Sequence, residues 1–407
     1  MKDVRSGYPF WSVNAGLPIA FPPLTADVRT EILILGAGIT GTLIAQELTD
    51  AGHQALIIDG RDVAWGSTSA STALLQYEID TPMTELARQY DEATAVLAYH
   101  SCLEALDLLE ARAADIPEAA FRRAGSLYIA SHRRAVDAMQ QELKLRKQHD
   151  FEVRWLDSED LQDRYGLENS PAAILSARAA SMDPYRYTYA ALSGLRQRGV
   201  AVHDRSKIVS VRTFGSQCIA QTEHGTTITA DHVIVATGYA AIRQLGVKVA
   251  SCRSTYAYVT EPSIDPQIEW MHDTLMWESA RPYLYTRRTP DGRCMIGGED
   301  DAVDNEAKRS MLLPANLKKL QRKMQHYLPE TDWTPSFSWA GTFAETTDGL
   351  PYFGSHPKHG ERIHFAMGYG GNGITYSILG AQVIRAHIEG RRHLLSDLYA
   401  FERTGHA

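Results

Sequence analysis

The sequence predicts an α/β protein in which a second domain, with a mixed sheet, is inserted into a parallel-sheet domain. Residues 31–35 form a short run rich in Ile and Leu, which is typical of a buried parallel strand. A glycine-rich turn and a helical pattern ending near Gly52 follow, and a second apolar run covers residues 54–59. From residue 253 onward, short aromatic strands indicate a different kind of sheet.

The remaining elements follow from apolar spacing and from helix-starting residues. Apolar residues that step by four, three and four predict one long helix over 84–112. Proline at a first helical position predicts helices that begin at Pro184 and Pro314. Residues 1–27, rich in aromatic residues and proline, are predicted to form an extended lead-in. Further helices are predicted over 132–149 and 373–389, and further strands over 126–130, 206–213, 217–222, 227–229, 231–236, 336–343 and 361–367.

Composition excludes several classes of protein. The 407 residues carry 41 basic and 49 acidic side chains, which gives a net charge of −8. Nucleic-acid binding is therefore not expected, because contact with phosphates needs a basic surface. Hydrophobic content of 44% excludes a mainly disordered chain. The four cysteines form no C-x-x-C pair, which favours a reducing compartment. With neither a signal peptide nor a membrane-spanning run, we expect a cytoplasmic protein that has no nucleic-acid partner and no membrane span.

The strongest motif is the glycine fingerprint Gly36-x-Gly38-x-x-Gly41 between the first strand and its helix. The first glycine permits the turn, the second lets the backbone approach a pyrophosphate, and the third lets helix and strand pack closely. Asp59 ends the second strand, where a carboxylate can accept hydrogen bonds from ribose hydroxyls. Together these features predict a Rossmann-type dinucleotide-binding domain.

Further segments indicate which dinucleotide the domain binds. Residues 59–61 with 66–69, the strand 233–238 ending in Ala-Thr-Gly, and the segments 347–354 and 366–375 resemble the FAD-dependent D-amino-acid oxidase-like (glycine/sarcosine oxidase) family in the family's own order. Short strings near Trp339 and Gly373 resemble the γ-glutamylputrescine oxidase subgroup most. The resemblance implies FAD as cofactor, with the glycine cluster before the last helix offering amides to the flavin. The predicted FAD-binding residues are Gly36, Gly38, Ile39, Thr40, Gly41, Asp59, Gly60, Arg61, Gly66, Ser67, Thr68, Val209, Ala236, Thr237, Gly238, Asp348, Gly371, Asn372, Gly373, Ile374 and Thr375.

The chain departs from the family's pattern at several places. It lacks the cysteine and the histidine through which relatives attach flavin, so we predict non-covalent FAD. Phe343 and Thr375 occupy the positions where relatives hold a substrate carboxylate with arginine or lysine. Met295 occupies the position of an oxygen-activating lysine, which leaves oxygen or another electron acceptor open. A carboxylate clamp from the strand-rich domain also stays open, with three candidate arginines: Arg281, Arg287 and Arg288.

The polar residues expected nearest the substrate are Tyr283, Tyr285, Glu299 and Tyr369. Aromatic rings can surround an amine through cation–π contacts, and Glu299 can attract an ammonium group or help to deprotonate it. The pair His356 and His359 has a spacing that metals sometimes use, but two ligands on a solvated loop predict no metal site.

These observations predict a two-domain enzyme. Residues 28–82, 151–240 and 335–390 form the FAD-binding domain, and residues 83–150 and 241–334 form the substrate domain. The predicted reaction is oxidation of the C–N bond of an amine or amino-acid derivative, by hydride transfer to flavin N5. Three alternatives stay open: oxidation of an α-hydroxy acid, a NAD-dependent dehydrogenase, and a flavin-binding electron-relay subunit. The sequence leaves the oligomeric state undefined.

Overall fold

A computed structural model describes residues 5–404 of the chain. Within that range it contains eighteen strands and eleven α-helices, numbered here in chain order. The strands are β1 Arg5–Gly7, β2 Val28–Leu35, β3 Ala55–Ile58, β4 Leu74–Gln76, β5 Arg122–Ile129, β6 Val153–Asp157, β7 Ala172–Ser181, β8 Ala201–His203, β9 Ile208–Phe214, β10 Gln217–Thr222, β11 Thr227–Val235, β12 Ser251–Val259, β13 Thr274–Glu278, β14 Leu284–Arg288, β15 Cys294–Asp301, β16 Phe337–Glu345, β17 Tyr352–Ser355 and β18 Ile363–Met367. The α-helices are α1 Phe10–Ala15, α2 Ile39–Asp50, α3 Ser67–Ala70, α4 Met83–Gln89, α5 Glu92–Ala113, α6 Val136–Gln148, α7 Ser158–Tyr165, α8 Pro184–Gln197, α9 Ala241–Leu245, α10 Glu306–Tyr327 and α11 Gly373–Ile388.

The strands form two sheets. The smaller sheet has the order β17-β18-β11-β2-β3-β8, with β10 and β9 added beside β11. Its strands β18, β11, β2, β3 and β8 are parallel, and the apolar ends of β2 and β3 are buried, as the sequence predicts. The larger, mixed sheet has the order β1-β16-β12-β15-β14-β13-β5-β7-β4, with β6 beside β7. An α/β fold with a second, mixed sheet is therefore confirmed.

The sheets divide the chain differently from the predicted domain boundaries. Strands β4, β6, β7 and β16 pair within the mixed sheet, although the sequence placed them in the FAD-binding domain. The reason is that they continue the mixed sheet at its two ends, which local sequence patterns do not reveal. Helices α2 and α11 pack against each other on the parallel sheet, while α10 covers the mixed sheet.

Three predicted elements need correction. The predicted helix 84–112 is two helices, because the Asp91 carboxylate caps α5 by accepting from Thr94 N at 2.7 Å. Helix α10 begins eight residues before Pro314, where Asn305 caps it, so this proline lies inside the helix. The lead-in is not wholly extended, because α1 forms within it and buries Trp11. Residues 1–4 of the lead-in lie outside the described range.

No α-helix in the described range is both long enough and apolar enough to cross a membrane.

Candidate active site

A cavity of about 620 Å³ lies between the two sheets, within the range typical of ligand sites. Its wall begins at the glycine-rich turn after β2 and continues along the loop 59–68. It ends at the start of α11 and at strands β14 and β15 of the mixed sheet. One space therefore joins the segments that the sequence assigns separately to cofactor and substrate.

The glycine-rich turn has no room for side chains. Gly36 has φ +111°, and a Cβ there would lie 2.3 Å from the Ala236 carbonyl oxygen. A Cβ on Gly41 would lie 1.9 Å from the Gly36 carbonyl oxygen, so Gly41 allows close helix–strand packing and does not itself line the cavity. A Cβ on Gly38 would meet only Thr68 Oγ1, at 3.0 Å, so this glycine leaves the cavity side of the turn open.

The Asp59 carboxylate lines the same end of the cavity. It accepts hydrogen bonds from Ala37 N and from Arg61 N, both at 2.9 Å, which fixes the glycine turn relative to the loop after β3. Burial raises the pKa of Asp59, and the two hydrogen bonds oppose that rise. Arg61 and Lys207 also line this end and supply positive charge there.

The start of α11 forms the opposite part of the wall. Gly371 N donates to Asp80 Oδ2 at 2.7 Å. Asn372 Nδ2 donates to the carbonyl oxygens of Gln76 and Glu78, at 3.2 and 2.9 Å. The chain around β4 therefore ties the predicted flavin-binding glycines to the mixed sheet.

Most predicted cofactor residues line the cavity. They are Gly36, Gly38, Ile39, Thr40, Asp59, Gly60, Arg61, Gly66, Ser67, Thr68, Ala236, Thr237, Gly238, Gly371, Asn372, Gly373 and Ile374.

Besides Gly41, three predicted cofactor residues do not line it. The Val209 side chain is 56% exposed, and its neighbour Ile208 lines the wall instead. Asp348 is buried in a bidentate ion pair with Arg403, at 2.8 and 3.2 Å. Thr375 is buried behind the wall, with its hydroxyl 3.4 Å from the Gln76 carbonyl oxygen.

Three of the four predicted catalytic residues line the cavity: Tyr283, Tyr285 and Tyr369. The rings of Tyr283 and Tyr285 lie 5.7 Å apart, and the Tyr283 hydroxyl donates to Asp80 Oδ1 at 3.2 Å. The buried Tyr369 hydroxyl finds no hydrogen-bond partner among the described residues, which fits a bound group within its reach.

The fourth, Glu299, faces away from the cavity. It forms an ion pair with Lys323 at 2.7 Å, and its neighbour Asp300 lines the cavity instead. Gly298 has φ +134° and Glu299 has φ +56°, and the register with β12 shifts at this point. The resulting bulge turns Glu299 away from the cavity and Asp300 toward it.

Burial raises the pKa of Asp300 to about 7. A hydrogen bond with Thr255 and the charge of Arg281 oppose this rise, while nearby Asp80 and Glu345 add to it. Its Oδ1 atom is shielded from solvent and has no hydrogen-bond partner within residues 5–404.

Only one of the residues considered for the binding of a substrate carboxylate, Phe343, contacts the cavity. Phe343 lines the cavity, while neither Arg287 nor Arg288 does. Arg287 is buried rather than solvated, and its guanidinium donates to the Thr72 and Met182 carbonyl oxygens at 2.6 and 2.9 Å.

The other two arginines have partners of their own. Arg288 is also buried and forms an ion pair with Glu269 at 3.0 Å. Arg281 lies outside the wall, with its guanidinium 4.6 Å from the centre of the Tyr283 ring and donating to the Asp80 carbonyl oxygen.

Two further predictions concern residues away from the cavity. Met295 is packed in the hydrophobic core and does not line the cavity wall. His356 is buried rather than solvated, and its ring accepts a hydrogen bond from Lys358 N at 3.1 Å. Within residues 5–404, no cluster of His, Cys, Asp and Glu side chains has the arrangement of a metal site.

Sequence reasoning missed several residues of the wall. Asp80, Trp277 and Asp300 line the half of the cavity next to the mixed sheet. Asp80 follows the short strand β4, and no motif marks it. Asp300 carries one weak signal, since the Gly-Gly pair before Glu299 indicates a bulge.

The fold and the wall define a dinucleotide-binding protein of two sheets, with a long cavity whose residues fit FAD. Glycines line the end predicted to hold the diphosphate, and the amides that begin α11 lie where the sequence places the flavin. Residues 31–386 match the DAO family of FAD-dependent oxidoreductases, and the chain belongs to that family. The FAD cofactor and the oxidoreductase class predicted from the sequence are thereby confirmed.

Individual relatives are distant but cover nearly the whole chain. The chain is 23% identical over 389 residues to glycine oxidase of Geobacillus kaustophilus. The aligned region covers 93% of this chain and 97% of that protein. It is 20% identical over 398 residues to gamma-glutamylputrescine oxidoreductase of Escherichia coli. The aligned region covers 96% of this chain and 90% of that protein. The crystal structure of Geobacillus kaustophilus glycine oxidase superposes with a TM-score of 0.74 at 19% identity, over 92% of this chain and 99% of that one, so the two share a fold.

Proposed function

We propose that this FAD-dependent oxidoreductase oxidises the C–N bond of an amine whose reacting carbon bears no carboxylate. The observation that carries the proposal is the charge of the cavity half next to the mixed sheet. Among the described residues, the walls from β13, β14 and β15 carry Asp300 and aromatic rings, and Glu78 and Asp80 follow β4. The basic residues Arg61, Lys207 and Arg243 line the cavity from the loop after β3, from beside β9 and from α9.

A substrate carboxylate would be poorly stabilised in this half. The position where family members carry an arginine is Phe343, whose ring lines the wall. A buried carboxylate without a cationic partner pays a desolvation penalty of several kcal/mol, and two neighbouring carboxylates add repulsion. An amine meets the opposite situation, because both acids and the tyrosine faces attract positive charge.

Asp80 is the residue best placed to receive the amine. Its two carboxylate oxygens are held by Tyr283 and by Gly371 N, so its position relative to the start of α11 is fixed. An amine must be neutral to release a hydride from the neighbouring carbon, and a fixed carboxylate beside it can accept the proton that the ammonium loses. Bound FAD supplies the oxidising chemistry by accepting that hydride at flavin N5.

The test is an anaerobic screen of the FAD-loaded protein, in which loss of the oxidised flavin band reports reduction. The screen covers alkylamines, amino acids of both hands and α-hydroxy acids, with buffer alone as the baseline. We expect alkylamines to reduce the flavin. Reduction by a hydroxy acid and by none of the amines would overturn the proposal.

A further inference from the structure

Among the acids that line the cavity next to the mixed sheet, Asp80 and Asp300 have different surroundings. Tyr283 and Gly371 N hold Asp80, whereas Asp300 Oδ1 is shielded from solvent and has no hydrogen-bond partner among the described residues. A buried acceptor without a partner is destabilising, so we expect a hydrogen-bond donor from outside the protein to reach it.

The two acids also stand at different places in the cavity. Asp80 accepts a hydrogen bond from Gly371 N, two residues before α11, where the sequence places the flavin. Asp300 lies on β15 beside Thr255, whose hydroxyl is 3.3 Å from that of Tyr285. If the flavin lies where the sequence places it, Asp80 is next to the reacting end of the substrate and Asp300 is next to the part that does not react.

One amine nitrogen does not satisfy both acids. The reacting nitrogen has to give up its proton before the hydride leaves, so its positive charge is transient. A second, unreactive ammonium keeps its charge and gives Asp300 a lasting donor. The faces of Tyr283 and Tyr285, with centres 5.7 Å apart, add cation–π attraction beside it.

We propose that the substrate carries a second positively charged nitrogen, remote from the reacting carbon, and that Asp300 binds it. The substrate class is thus a diamine or a longer polyamine, and Asp300 is a specificity-determining residue. This inference rests on the proposed function, because it assumes that an amine is the group oxidised.

The experiment compares 1,5-diaminopentane with pentylamine, which differ only in the second amine. Anaerobic flavin reduction by each is measured as kcat/KM with the FAD-loaded wild type and the Asp300→Asn variant. A hydrogen bond to a charged group contributes about 1.5–3 kcal/mol, which corresponds to roughly 10- to 150-fold in rate. We expect the wild type to prefer the diamine by that factor. Asp300→Asn should lose this preference, because its kcat/KM for the diamine falls much further than its kcat/KM for pentylamine.

Glu345→Gln is the matched control. Glu345 adds to the negative field at Asp300, but it forms an ion pair with Arg253 and does not line the cavity. We expect this variant to keep the diamine preference.

Equal rates for the two amines with the wild type would overturn the inference without any variant, and so would an unchanged preference in Asp300→Asn. Reduction by pentylamine at the diamine's rate leaves the proposed function standing. Failure of both amines would overturn the proposed function and this inference with it.

Discussion

Glu78, in the cavity wall, allows a sharp test of the electrostatics there. Its side chain is fully buried, with Oε1 3.4 Å from Arg146 Nη1, and Oε2 has no hydrogen-bond partner in the described range. Burial raises its pKa from the ordinary 4.5 to about 7, although Arg146 opposes the rise. Glu78 therefore costs stability at high pH, since the folded protein must hold a poorly solvated charge.

The magnitude and the sign follow from linkage. The difference between 4.5 and about 7, at about 1.36 kcal/mol for each pKa unit, corresponds to about 3 kcal/mol. Below pH 4.5 Glu78 is protonated in both the folded and the unfolded protein, so its raised pKa does not lower the free energy of unfolding. Above about pH 7 it lowers that free energy by the full amount. Glu78→Gln should thus be more stable than the wild type at pH 8, by up to about 3 kcal/mol, and the difference should shrink as the pH falls toward 4.5.

Glu142 in the same buried cluster provides a control with the opposite sign. Its carboxylate accepts from Met83 N, from both Thr84 N and Oγ1, and from Arg146 Nε, each at 2.9 Å. Burial raises its pKa, but Arg146 and these hydrogen bonds bring it below the ordinary value. Glu142→Gln should therefore destabilise the protein at pH 8.

The assay is urea unfolding of the FAD-saturated protein, followed by tryptophan fluorescence at several pH values between 5 and 8. If Glu78→Gln proves less stable than the wild type at pH 8, the Glu78 charge is a net stabiliser through Arg146 and the reasoning is refuted.

Three other predictions concern the cofactor and the carboxyl-terminal segment. Gly38→Val should abolish FAD binding in a folded protein, because its side chain fills the approach of the pyrophosphate, while Gly194→Val, with open space around it, should keep stoichiometric FAD by absorbance. Acid precipitation should release all FAD to the supernatant, since the residues through which relatives attach flavin are missing; a yellow pellet would contradict this. Arg403→Leu should destabilise the protein by about 3–5 kcal/mol in urea unfolding, because it leaves the Asp348 carboxylate buried and unpaired. Adding Asp348→Asn should recover part of that loss, and no recovery would count against the pairing.

The sequence predicts the cofactor end of the site well because its constraints are local. The turn from β2 to α2 needs glycine at Gly36 and Gly41 within six residues, and the following strand delivers Asp59 to the same place. Fold class and cofactor therefore follow from one short segment and its context.

The substrate end depends on longer-range geometry. Glu299 and Asp300 are equivalent in the sequence, and the bulge at Gly298 decides which of them lines the cavity. Asp348 matches a family motif, but its partner Arg403 is 55 residues away, so the ion pair emerges only from the fold. Asp80 acquires its place through the tertiary contact with Gly371.

The central claim is that the substrate carries no carboxylate on the reacting carbon. The most direct measurement compares anaerobic flavin reduction by two pairs of compounds that differ only in that carboxylate. One pair is pentylamine and norleucine, and the other is 1,5-diaminopentane and lysine, with both hands of each amino acid. A desolvation penalty of several kcal/mol predicts that each amine is faster than its amino acid by on the order of a thousandfold. Faster reduction by either amino acid would contradict the account and would show that a cation binds the carboxylate. Arg243 of the cavity wall and Arg281, next to the Tyr283 ring, are the candidates.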